Sequence, residues 1–139
     1  MTEATIQKRP KHLALWQIRM PLSGYVSILH RITGVGLFLL LPFLIWLLDK
    51  SLLNQTTFEE FKDVIGNPLV KLLLLGLLWA YMHHFCAGIR YLFLDIGKGL
   101  ELPCSRRSAK VVLFVSLTLT AVIGGVLWLR NMFPLRVTG

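Results

Sequence analysis

Three stretches of the chain carry no formal charge: residues 32–48, 72–89 and 111–129, of 17, 18 and 19 residues. Each is apolar almost throughout and none alternates between apolar and polar positions. A hydrocarbon core of about 30 Å asks for roughly 20 apolar residues at a helical rise of about 1.5 Å, and about 17 suffice. All three therefore qualify as spanning helices. Inside lipid the backbone must satisfy its own hydrogen bonds, so only helices or closed barrels cross, and continuous apolar runs are not barrel strands. The pattern predicts an all-α membrane protein, a single anchor domain over 1–139 with three transmembrane helices at about 28–49, 68–97 and 107–130.

Punctuation between the runs refines this layout. Thr57 followed by Glu60 has the spacing of a capping box, Phe58 to Ile65 fits a short interfacial helix in the first loop, and Gly66 is placed to end it. Asn67 and Pro68 read as N-cap and first residue of the second span, and Pro103 with Ser105 as the start of the third. Pro42 lies within the first span, where it removes a backbone donor and is expected to kink the helix.

Composition agrees: 55% of residues are apolar and 16% charged, against about 25% charged in a typical soluble domain. The net charge of +8 would suggest nucleic acid in a soluble chain. Here the cations are better explained by topology, and no nucleic-acid partner is expected. Lys8, Arg9, Lys11, Arg19 and Arg31 precede the first span or stand at its start, and Lys98, Arg106, Arg107 and Lys110 occupy the second loop. The first loop sets Lys50 and Lys62 against Asp49, Glu59, Glu60 and Asp63. The positive-inside rule then puts the N-terminus and second loop inside. The amino end shows neither a secretory signal pattern nor an Arg- and Ser-rich presequence, which favours a multi-pass protein of a bacterial inner membrane.

Cys86 and Cys104 are too far apart for a CxxC zinc pair or a CxxCH haem attachment, and a disulfide between a membrane helix and an inside loop is not expected. The informative residues are polar ones placed where polarity is costly. His83 and His84 fall within the second span, where ionisable groups mark functional sites by default. Adjacent helical positions diverge by about 100°, so the two imidazoles serve different surroundings. Gly88, Tyr91 and Asp95 share the stripe of His84, and Gly88 leaves room for a flat group against the backbone one turn away. At the start of the first span, Ser27, His30 and Arg31 share a face through i, i+3 and i+4 spacing. A deep imidazole with shallower cations suits a ligand with an apolar body and an anionic edge, as in haem b with its propionates. Plainer roles fit the same residues: Arg31, Arg90 and Lys110 as snorkelling cations, His83 as an interhelical hydrogen-bonding group, Ser27 bonded back to its helix, Asp95 paired with Arg90 or Lys98, and the tryptophans as interface anchors.

Longer motifs separate these readings. Arg9-Pro10, Arg19-x-Pro21, Ser27-x-x-His30-Arg31-x-Thr33-Gly34, His84-x-x-x-Gly88-x-Arg90, Asp95-x-Gly97 and Arg107-Ser108-Ala109-Lys110 occur in order along most of the chain. The combination resembles the cytochrome b556 subunits of succinate dehydrogenases. It departs from them at Tyr91, where His or Phe is usual, and at Leu94, where an aromatic residue or Met is usual.

The resemblance implies an anchor subunit, inactive alone, of a four-subunit succinate:ubiquinone oxidoreductase. A flavoprotein and an iron-sulfur protein would deliver electrons, and a second membrane anchor would share haem b. His84 would be one axial ligand of the haem iron, with the other axial histidine from the second anchor. Ser27 and Arg31 match positions of the quinone pocket, His30 and Arg31 those near the haem propionates, and Gly88 and Asp95 would pack beside the haem. The basic inner face would help to dock the iron-sulfur protein. Two alternatives share this architecture: the anchor of a quinol:fumarate reductase, and a structural anchor without a redox group.

Overall fold

The computed structural model describes residues 20–132, with side chains described as far as 128. Lys8, Arg9, Lys11, Trp16 and Arg19 lie outside the described residues. Four helices follow one another: α1 (Leu22–Leu53), α2 (Gln55–Gly66), α3 (Pro68–Asp95) and α4 (Leu102–Met132). Among the described residues there is no strand. Three helices are long and apolar enough to cross a membrane: Leu22–Leu53, Pro68–Asp95 and Leu102–Trp128. The fold is that of an all-α membrane protein with three candidate spans.

The helices outrun the charge-free stretches because helical residues need not be apolar once they leave the hydrocarbon. α1 has 32 residues and α4 has 31, about 45–50 Å at 1.5 Å each, more than the ~30 Å of a hydrocarbon core. α1 starts after Pro21, which stands at the N-cap and supplies no side-chain cap. Ser27, His30 and Arg31 thus lie inside a regular helix. Pro42 also lies within α1, which remains continuous around it.

Two asparagines join the first three helices. Asn54 caps α2: its side chain accepts from the Thr57 amide at 2.9 Å while the Thr57 hydroxyl serves the Asn54 amide at 3.3 Å. The capping box therefore pairs Asn54 with Thr57, three residues earlier than the Thr57 and Glu60 pairing expected from sequence. Asn67 caps α3 by accepting from Leu69 N–H at 2.9 Å, with Pro68 at the first helical position as expected.

α3 ends at Asp95. Gly97 takes φ +78°, its N–H bonds to the Leu94 carbonyl at 2.9 Å, and Lys98 N–H bonds to the Phe93 carbonyl at 3.0 Å. This is a Schellman motif with glycine in the left-handed position it favours. α4 begins at Leu102, so Pro103 and Ser105 fall in its first turn, with Ser105 N–H bonded to the Glu101 carbonyl at 2.8 Å.

α3 packs against both α1 and α4. The core is small: Val26 of α1, Ala87 of α3, and Ala109 and Val112 of α4, flanked by Leu22, Cys86, Tyr91 and Leu113. Alanine at 87 and 109 lets the helix backbones approach closely, as association in lipid requires. Buried hydroxyls return to their own helices: Ser116 bonds the Leu113 carbonyl at 3.1 Å and Thr120 the Ser116 carbonyl at 2.7 Å. Most large apolar side chains face outward, as expected where the solvent is hydrocarbon. Cys86 and Cys104 are free thiols.

Gly97→Ala is expected to lower stability by about 1–2 kcal/mol, since a side chain at positive φ is strained. The thermal midpoint of the detergent-solubilised protein would fall. An unchanged midpoint would show that the α3–α4 turn does not need the left-handed residue.

Candidate functional site

The α1–α3 contact brings together His30, Thr33 and Gly34 from one helix and His84, Gly88 and Tyr91 from the other. His84 is the centre. Its Nδ1–H donates to the His30 carbonyl oxygen at 3.1 Å, and the Thr33 hydroxyl stands 3.5 Å from the same nitrogen. Thr33 turns its own hydroxyl proton toward the carbonyls of Leu29, at 2.8 Å, and His30, at 3.1 Å. Because a carbonyl can only accept, the bond fixes the proton of a neutral His84 on Nδ1 and leaves the lone pair on Nε2. A ring nitrogen is prepared for metal ligation in this way when its partner nitrogen is held by a backbone carbonyl.

Gly34 makes the contact possible. A Cβ there would come within 2.7 Å of His84 Cε1, so any side chain would displace the ring. The His30 imidazole stacks on His84, centroids 4.3 Å apart with planes 8° from parallel, and its other neighbour is the Tyr91 ring at 5.0 Å. Beside Gly88 stands His30, whose Nε2 would lie 3.8 Å from a Cβ at that position.

Other expectations resolve differently. Arg90 does not snorkel: it is buried, its Nε donating to Ser108 Oγ at 2.9 Å and an Nη to Ser105 Oγ at 3.0 Å. Its guanidinium ties α3 to α4 rather than pairing with Asp95. Asp95 is exposed, the last residue of α3. Ser27 is half-buried and Arg31 exposed. Unlike Thr33, Ser27 makes no hydrogen bond back to its helix among the described residues. His83, facing away from His84, is fully buried with its ring 5.5 Å from that of Trp79. Its imidazole lies beside the Val26 backbone of α1, although neither ring nitrogen meets hydrogen-bond geometry with a partner among the described residues.

Sequence reasoning missed the parts played by Thr33, Gly34, Ser105 and Ser108. The Thr33-Gly34 pair stood in a recognised motif, but its relation to His84 depends on how α1 rotates against α3. Among the described residues no three His, Cys, Asp or Glu side chains gather to hold a metal ion. An iron on His84 would therefore need its remaining ligands from a macrocycle and another chain. The single prepared imidazole and its glycine seat fit that requirement.

The family model described as "Succinate dehydrogenase/Fumarate reductase transmembrane subunit" matches residues 5–123, which include all of these positions. The chain belongs to the succinate dehydrogenase/fumarate reductase transmembrane subunit family. Within it, the chain is 34% identical to the succinate dehydrogenase cytochrome b556 subunit of Coxiella burnetii, over 87% of this chain and 98% of the relative. The corresponding subunit of Paracoccus denitrificans is 30% identical over 88% of this chain and 94% of its own length. The mitochondrial cytochrome b560 subunit of Sus scrofa is 31% identical over 76% of this chain and 62% of its own. Membership in this family and the three apolar helices make the chain a membrane anchor of the succinate dehydrogenase cytochrome b type.

Gly34→Ala is expected to destabilise this family member by about 1–3 kcal/mol through overpacking on His84. Gly36, which has nothing within 4 Å of a Cβ, serves as the control. Gly36→Ala should be neutral or mildly stabilising, as alanine in a helix usually is. Equal thermal midpoints for the two variants would remove Gly34 from the site.

Proposed function

We propose that this chain is the haem b- and ubiquinone-binding anchor of a succinate dehydrogenase. In this reading a second membrane anchor accompanies it in a bacterial inner membrane, and electrons arrive from an iron-sulfur subunit served by a flavoprotein. The observation that carries the reading is the His84 Nδ1–H bond to the His30 carbonyl, which leaves the Nε2 lone pair free to ligate. His84 and a histidine of the second anchor would hold the iron. Bound there, haem b supplies a one-electron carrier beside the acceptor site.

The remaining roles follow from chemistry and position. His30, already parallel to His84, and Arg31 would face the propionate edge, with Gly88 and Asp95 along the same stripe of α3. Ser27 would donate its hydroxyl proton to a quinone carbonyl. Arg31 would place a fixed cation where negative charge gathers as the quinone is reduced, an effect strengthened by the low dielectric of a membrane cleft. Availability supports these roles: among the described residues, neither side chain is engaged in a hydrogen bond. The orientation that suits them puts the N-terminus and the α3–α4 turn on the side of the soluble subunits, with α2 lying at the opposite interface. The family description includes fumarate reductases, so the reverse reaction on the same architecture is the second reading.

His84→Ala should abolish or shift the reduced haem b absorption band of the purified complex, and an unchanged spectrum would refute the ligand assignment. Ser27→Ala or Arg31→Ala should slow quinone reduction roughly a hundredfold. Succinate oxidation by a soluble artificial acceptor should survive in the same preparations. Loss of both activities together would point to failed assembly instead.

A further inference from the structure

Near its C-terminal end α3 buries a charge without a counter-charge among the described residues. Arg90 is only 7% exposed, yet its hydrogen bonds go to neutral partners, the hydroxyls of Ser105 and Ser108 and the Ser105 carbonyl. A guanidinium keeps its proton in proteins, and a buried cation with no anion beside it is costly in a medium of low dielectric. Arg90 lines a cavity of about 310 Å³ together with Phe93, Leu94, Lys98, Cys104 and Arg107. Among the described residues, three cations and no carboxylate border this space. Gly99, at φ +80°, shapes its rim.

We propose that this cavity binds the phosphate headgroup of an anionic phospholipid. Charge complementarity calls for an anion. The surroundings call for one attached to an acyl chain: Phe93 and Leu94 form part of the wall, and Leu92, Phe93 and Ile96 stand beside it 67%, 54% and 64% exposed. Lys98, Arg106, Arg107 and Lys110 cluster at the same end of the helices, the arrangement that draws anionic lipid to a bilayer face. Arg90, held in place by Ser105 and Ser108, and the exposed Lys98 and Arg107 supply the positive charge that a phosphate requires. The site requires only that the helices span a bilayer, and it is independent of haem and quinone.

The test uses the detergent-purified assembly that contains the chain, delipidated and then offered phosphatidylglycerol or phosphatidylcholine, with retained lipid counted by native mass spectrometry. Phosphatidylglycerol should be kept in preference, and Lys98→Gln with Arg107→Gln should weaken its retention about tenfold or more while leaving phosphatidylcholine unchanged. Arg90 is left intact because it also joins two helices. Should the double variant not assemble, wild-type protein supplies a second measurement: alkylation of Cys104 should slow in vesicles containing phosphatidylglycerol relative to pure phosphatidylcholine vesicles. Equal retention of the two lipids, or equal Cys104 reactivity in the two vesicles, would overturn the proposal. Displacement of the lipid by millimolar inorganic phosphate would make it a free-anion site. Loss of accompanying subunits with an unchanged lipid count would assign the cations to protein docking.

Discussion

The hydrogen bond from His84 to the backbone of His30 governs the arrangement of this molecule. It crosses between helices, and its acceptor is a main-chain oxygen that no mutation of side-chain chemistry removes. Helix α1 must present that carbonyl toward α3, which sets the rotation of α1. Gly34, one turn along, must lack a side chain so that the ring can approach, and Thr33 must be small enough to stand beside it. The rotation that meets these conditions also lays His30 flat on His84 and leaves Ser27 and Arg31 on the neighbouring part of the helix.

The second fixed joint lies between α3 and α4. Ala87, Ala109 and Val112 bring the helices close, and Arg90 reaches Ser105 and Ser108 across the gap. Because the hydrophobic effect does not drive helices together inside lipid, such polar links and small-residue contacts carry much of the specificity. His84 and Arg90 are six residues apart on one helix, and they secure it to opposite neighbours.

What could be read from sequence follows from the range of the physics involved. Hydrocarbon thickness acts on whole segments, so the three spans were legible from charge-free runs alone. Caps act locally, yet neighbouring candidates compete: Asn54 took the position that Thr57 could equally have filled, while Gly97 closed α3 in the left-handed conformation that glycine favours. His84 stood out because an intramembrane imidazole is rare. The seat provided by Gly34 and the serine partners of Arg90 did not, because both depend on which helix faces meet. Arg90 looked like a lipid-facing cation until α4 supplied its acceptors. Tyr91, the departure from the family pattern, proves to be a neighbour of His30, its ring 5.0 Å away.

The joints between the first three helices have a further consequence. From Leu22 to Asp95 only Asn54 and Asn67 interrupt the helical path, and each is occupied as a cap. A protease needs an extended strand to seat in its cleft, and this connection offers none. An epitope tag or reporter inserted at either asparagine would unravel a helix start as well as lengthen a loop. Topology mapping by insertion is therefore better directed to the turn beyond the Schellman cap, around Gly99 and Leu100, where the chain has already left helical geometry.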